Sequence, residues 1–177
     1  MKVLSLLTPM SLMAGVMAAA TPKRDASWQS CVSQADAESI VNQYIIILEH
    51  TDAAAANATA QSLLDENYIE TSDSILSLEG QPLGTATFVG KDNYINGVLN
   101  SPGLSGIVTL DVLVAGCTNV LWYWKFLGVG TGQYEVKGFN LFAITPSLQL
   151  ASANLEFNSI AWGLDTGYQV IFPPSSK

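Results

Sequence analysis

Between residues 34 and 50, apolar side chains recur at Ala37, Ile40, Val41, Tyr44, Ile47 and Leu48. That three-and-four spacing places them on one face of an amphipathic helix. Asp36 can cap this helix, and Glu38 falls in its first turn, where negative charge is favourable. Residues 52–65 predict a second, alanine-rich helix with Ala56, Ala60, Leu63 and Leu64 turned inward. The stretch 68–75 reads as short and extended, and Gly80, Pro82 and Gly84 punctuate a turn. A third, shorter helix is expected over 91–100, with Tyr94, Ile95, Val98 and Leu99 apolar and Ser101-Pro102-Gly103 ending it. After Gly106 the period changes from 3.6 to two. Strands are expected over 107–115, 119–129, 133–145 and 152–164, separated by Gly116, the glycine-rich segment 128–132 and Pro146-Ser147. Trp122, Trp124 and Phe126 fall on one strand face, Tyr123 and Lys125 on the other. Long strands joined by short turns predict an antiparallel meander. Helices followed by strands predict an α+β domain with the helices on one sheet face.

The first twenty residues carry a different pattern. Lys2 supplies a positive start, residues 3–16 are mostly apolar, and Ala18-Ala19-Ala20 offers small residues for cleavage. This order is that of a secretory signal, and Pro9 together with the small residues argues against a spanning helix. Lys23-Arg24 is a dibasic pair of the type kexin-like proteases cut, so a mature chain starting near Asp25 is expected. The expected division is a signal at 1–20, a short arm at 21–30, one domain over 31–172 and a tail at 173–177. Such a chain would be secreted and, once processed, would have no membrane association.

Processing sharpens the charge. The full chain of 177 residues carries a formal charge of −8. The trimmed chain keeps four basic residues, Lys91, Lys125, Lys137 and Lys177, against fifteen acids, a net of −11. No basic patch exists for counterion release, which argues against nucleic-acid partners. Cys31 and Cys117 are the two cysteines. In an exported chain one disulfide is the default, and a metal pair is the alternative. With no CxxC spacing and a single histidine, no metal site is expected. Asn57-Ala58-Thr59 is a glycosylation sequon.

The element order over 36–164, and above all the run Leu63-Leu64-Asp65-Glu66-Asn67-Tyr68-Ile69-Glu70, resembles the nuclear-transport-factor-2-like superfamily, which includes the SnoaL-like polyketide cyclases. Ser72-Asp73-Ser74-Ile75 and Gly80-Gln81-Pro82-Leu83-Gly84 resemble a secreted fungal branch of it. The resemblance implies a cone: three N-terminal helices packed on a curved, mainly antiparallel sheet. It also implies a pocket between sheet and helices, no cofactor, and in some relatives a homodimer through the outer sheet face.

Within such a pocket the polar candidates are Asp73, Asp111, Tyr123, Asn140 and Asn158. The apolar candidates are Tyr44, Trp122, Trp124, Phe126, Phe142 and Trp162. A buried aspartate at 73 or 111 could serve as a general base. Asp73 can equally cap a local turn in Ser-Asp-Ser, and Asp111 can equally sit on the solvent face of its strand. His50 is a pocket base or, more simply, a cation at a helix C-terminus. No G-x-S-x-G elbow accompanies it, which argues against a hydrolase triad. Trp122 and Trp124 suit a core, a pocket wall or a carbohydrate platform. Three functions follow: binding of an apolar small molecule, placed first; a lyase, isomerase or cyclase acting through a pocket carboxylate; and a protein-interaction or dimerisation module.

Overall fold

Ser33 starts the first helix of the computed structural model, which describes residues 31–171. The expected signal, the Lys23-Arg24 pair and the tail lie outside these residues. The Ser33 hydroxyl accepts from the Asp36 amide at 3.1 Å, and the Asp36 carboxylate accepts from the Ser33 amide at 3.2 Å. This capping box makes Ser33, not Asp36, the cap of α1 (Gln34–Glu49). The helix buries Ala37, Ile40, Val41, Tyr44 and Ile47, the face its spacing predicts. Asp52 caps α2 (Ala53–Leu63) by accepting from the Ala54 and Ala55 amides. Asn57 lies exposed on that helix.

The chain then runs through β1 (Leu64–Thr71), α3 (Asp73–Glu79), β2 (Ala86–Val89) and α4 (Lys91–Leu99). It continues as β3 (Ile107–Ala115), β4 (Asn119–Phe126), β5 (Val136–Ile144) and β6 (Leu150–Phe157), and ends in α5 (Ser159–Asp165). The sheet order is β2-β1-β6-β5-β4-β3. Strands β3 to β6 form the expected antiparallel meander. Strand β1 joins β6 in parallel and β2 in antiparallel fashion, so the sheet is mixed but mostly antiparallel.

Three elements depart from the sequence reading. The extended stretch 68–75 ends at Thr71. Ser72 then caps α3 by accepting from the Ile75 amide, and Gly80, at φ 66°, closes that helix in the left-handed region. The four-residue β2 is too short for alternation to show and owes its form to pairing with β1. The expected strand over 152–164 stops at Phe157, where Asn158 accepts from the Ala161 amide and caps α5. A Ser or Asn cap followed by apolar residues is a helix start, and it overrides the period-two pattern on either side.

Two links tie the periphery to the sheet. Asp165, buried at the end of α5, accepts from the Thr131 hydroxyl at 2.7 Å and from the Gln133 and Tyr134 amides, holding the loop between β4 and β5. Burial pushes its carboxyl upward, but these three hydrogen bonds outweigh burial and hold it below its ordinary value. Cys31 and Cys117 form a disulfide that joins the segment before α1 to the turn between β3 and β4, across 86 residues. The Val32 amide donates to the Cys117 carbonyl beside it. Closing a loop of this length should stabilise the fold by about 4 kcal/mol through the unfolded chain. The double variant Cys31→Ala, Cys117→Ala is therefore expected to lose stability on that scale in urea unfolding. A loss below about 1 kcal/mol would show that the crosslink constrains little.

Candidate functional site

Alternation along β1 places Tyr68 and Glu70 on the inner face and turns Ile69 outward, 41 % exposed. Glu70 is 2 % exposed, a buried carboxylate among mainly apolar and aromatic core side chains. Its Oε2 accepts from the Tyr44 hydroxyl at 3.0 Å and from the Tyr68 hydroxyl at 3.1 Å. The Tyr94 hydroxyl donates to that of Tyr44 at 2.7 Å. One carboxylate and three tyrosines, drawn from α1, β1 and α4, thus form a continuous buried network. Burial raises the Glu70 carboxyl from 4.5 to about 7, although the bonds from Tyr44 and Tyr68 pull the other way. Burial, reinforced by the nearby Glu70 charge, holds all three tyrosines well above their ordinary value. They therefore stay protonated and act as donors.

This network borders a cavity of about 420 Å³ between sheet and helices. The sheet contributes Glu70, Trp124, Phe126, Asn140, Leu155 and Phe157. Helix α1 contributes Tyr44 and Leu48, α3 Ile75 and Leu78, α4 Tyr94 and Val98, and α5 Trp162. Such a lining, apolar with a few convergent polar groups, suits a small organic ligand. Asn140 is 1 % exposed. The Trp124 indole donates to its Oδ1 at 2.7 Å, while its Nδ2 has no hydrogen-bond partner among the described residues. An unpaired buried donor costs about 1–3 kcal/mol.

The structure brings together five of the eleven pocket candidates: Tyr44, Trp124, Phe126, Asn140 and Trp162. The others are elsewhere. Asp73 is exposed at the start of α3, where its Oδ1 accepts from the Gly84 amide at 2.7 Å, the turn-capping alternative. Asp111 is exposed on β3 at a register irregularity, and its Oδ1 accepts from the adjacent Val112 amide. Among the described residues the carboxylates lining the cavity are Glu70, which is buried, and Glu79, which is exposed at its rim, and neither aspartate reaches it. Tyr123 points to the outer sheet face, 39 % exposed, opposite the equally outward Phe139. Trp122 and Phe142 are core side chains, their rings stacked at 6.5 Å, and they do not border the cavity. Asn158 is spent on capping α5. His50 caps the C-terminus of α1 and reaches the cavity wall, with Nδ1 3.2 Å from the Ile47 carbonyl and Nε2 3.0 Å from that of Ser101.

Glu70 is not among the expected pocket residues, because a short extended stretch with both apolar Ile69 and acidic Glu70 does not by itself say which of them faces inward. A one-residue change of register inverts every face. The available signal was Tyr68-x-Glu70: if the bulky aromatic faces the core, so does the acid two positions on.

A family model described as NTF2-like domain matches residues 30–169. Several solved structures share the architecture. A SnoaL-like protein of unknown function from Burkholderia thailandensis is 20 % identical, with a TM-score of 0.54 over 73 % of this chain and 99 % of that one. A steroid delta-isomerase from Pseudomonas aeruginosa is 14 % identical, with a TM-score of 0.53 over 78 % and 93 %. The epoxide hydrolase/cyclase-like enzyme SalBIII, of pyran ring formation in the polyether salinomycin, is 14 % identical, with a TM-score of 0.50 over 73 % and 95 %. Identities this low establish shared fold alone. None of the curated proteins matches the chain.

Proposed function

The chain belongs to the NTF2-like domain family, and from that premise we propose that it binds a small, largely apolar carbonyl compound in the cavity and moves a proton on it through Glu70. This is the chemistry of an isomerase, cyclase or lyase. One observation carries the reading: a carboxylate held by two tyrosines inside an apolar cavity, with a carboxyl raised to about 7. A group titrating near the working pH is available both as base and as acid. Both tyrosine bonds reach Oε2, which leaves Oε1 as the oxygen free to exchange a proton. In the forward step the substrate C–H bond breaks, its electron pair passes to the carbonyl oxygen, and an O–H bond forms on Glu70. Return of that proton to a second carbon completes an isomerisation. The apolar lining supports the binding half of this reading, which the sequence placed first. The carboxylate network and the isomerase and cyclase-like structural neighbours support the catalytic half.

The apolar leader, Lys23-Arg24 and the Cys31–Cys117 bond support placing this activity outside the cell, in an exported protein of the fungal branch, with Asn57 exposed for glycosylation. Among the described residues no helix is long and apolar enough to cross a membrane.

The test is exchange of α-protons with deuterated water, followed by proton NMR across bicyclic enones and aryl ketones. The expected result is acceleration over buffer that rises with pH through a midpoint near about 7, as the base form of Glu70 accumulates. Exchange no faster than in buffer for every ketone, across the whole pH range, would defeat the proposal.

A further inference from the structure

We infer that Asn140 is the specificity-determining donor of the cavity, and that it selects ligands presenting an acceptor oxygen, a ketone or ester carbonyl. A side-chain amide has one acceptor atom and one atom carrying two donors, whereas an indole nitrogen can only donate. Trp124 Nε1 meets the Asn140 amide at 2.7 Å. Turning the amide over would set N–H against N–H, so Trp124 fixes Oδ1 toward itself and Nδ2 away from itself. That Nδ2 is the unpartnered buried donor. Trp124, Phe126 and Leu155, which line the same cavity, have no side-chain acceptor to offer, and the acceptors that also line it, Glu70 and Tyr44 among them, make no hydrogen bond to Nδ2.

The surrounding backbone is built for this orientation. Asn140 lies on β5 two residues from Gly138, the register partner of Trp124. A Cβ on Gly138 would come within 2.7 Å of the tip of the Trp124 ring and 2.6 Å of the Glu156 carbonyl oxygen. Glycine at 138 therefore leaves room for the indole that orients Asn140. The amide is held from one side and unsatisfied on the other, and the missing partner is an oxygen of the ligand. This inference rests on the cavity being a ligand site but not on proton transfer at Glu70.

Binding discriminates the possibilities without turnover. The probes are acetylnaphthalene and isopropenylnaphthalene, which match in shape and differ in a carbonyl. Each is titrated into the mature chain by tryptophan fluorescence, and the bound ketone is examined by infrared spectroscopy. The ketone is expected to bind about tenfold tighter than the hydrocarbon, with its carbonyl stretch moved to lower wavenumber. Asn140→Leu should abolish both the preference and the shift. Asn140→Asp keeps the acceptor for Trp124 and, at a pH where the new carboxyl is ionised, should abolish both as well. It carries the test if the leucine variant fails to fold. Asp111→Asn, exposed on β3 and outside the cavity, should keep both. Equal binding of the two probes, or a preference that survives in either Asn140 variant, would overturn the assignment while leaving the cavity reading intact. Failure of both probes to bind at their solubility limits would overturn both.

Discussion

Replacing Glu70 with glutamine should slow proton exchange by about two to four powers of ten and, above neutral pH, make the protein more stable. The amide keeps an oxygen to accept from Tyr44 and Tyr68, so the network geometry survives. It removes the group that takes the proton. The stability effect follows from the same burial. In the unfolded chain Glu70 ionises near 4.5, whereas in the folded protein it ionises near about 7. Between those values the folded state holds a proton that the unfolded state has released. Stability from this group is therefore fully present below the unfolded value and lost as pH rises through the folded one. The shift corresponds to about 3 kcal/mol, complete above about pH 8. Wild-type protein should weaken by that amount from about pH 4.5 to about pH 8, while Glu70→Gln stays flat. Asp165 does not obscure this, because its lowered carboxyl contributes above the ordinary carboxylate range and is lost only on acidification. Urea unfolding across the pH range gives the comparison. Parallel slopes for the two proteins would show that Glu70 is not the group responsible.

Trp122→Ala should cost about 4 kcal/mol, and Tyr123→Ala, one residue away, less than about 1 kcal/mol. Trp122 is fully buried. Tyr44 meets it edge-on at 6.0 Å, and Trp124, Phe126 and Phe142 have ring centres within 6.5 Å of it. Its indole also donates to the Thr109 hydroxyl at 3.0 Å. Truncation leaves a void among rigid rings that collapse poorly, and it unpairs that hydroxyl. Against a typical total of 5–15 kcal/mol, such a loss can unfold much of the population at 37 °C. Tyr123 projects from the outer sheet face beside Asp111 and Phe139, with no such enclosure. Equilibrium unfolding of the two variants checks the contrast. Equal costs would mean that the outer face is also covered, and a Tyr123→Ala cost that grows with protein concentration would identify a second copy as the cover.

The elements that were legible in the sequence are those whose burial is one-sided. The apolar positions of α1 and the alternation Trp122, Trp124, Phe126 each have a wet face and a dry face, so period reveals both element and orientation. The Cys31–Cys117 pairing followed from there being two cysteines in an exported pattern. Of the cavity residues, Trp124 and Asn140 were reachable from strand alternation and Tyr44 from helical spacing, whereas Trp162 lies on α5, where a strand was expected.

What remained hidden depends on contacts distant in sequence. Helix α3 and strand β2 are short segments that hold their form through Glu156, which accepts from the Asp73 and Ser74 amides, and through pairing with β1. Glu70 reads locally as a surface acid beside an apolar Ile69. Only the assembled sheet and helices turn it inward, where hydroxyls from α1 and its own strand can hold it. Thus the helices α1, α2 and α4, the meander β3–β6, the acidic charge and the crosslink are properties of the chain itself, since they follow from pattern and count. The identity of the buried acid and of the unpaired amide is tertiary. Burial and partnership are what shift a carboxyl or strand a donor, and residues from α1, β1, α4, β4 and β5 acquire those only when they meet.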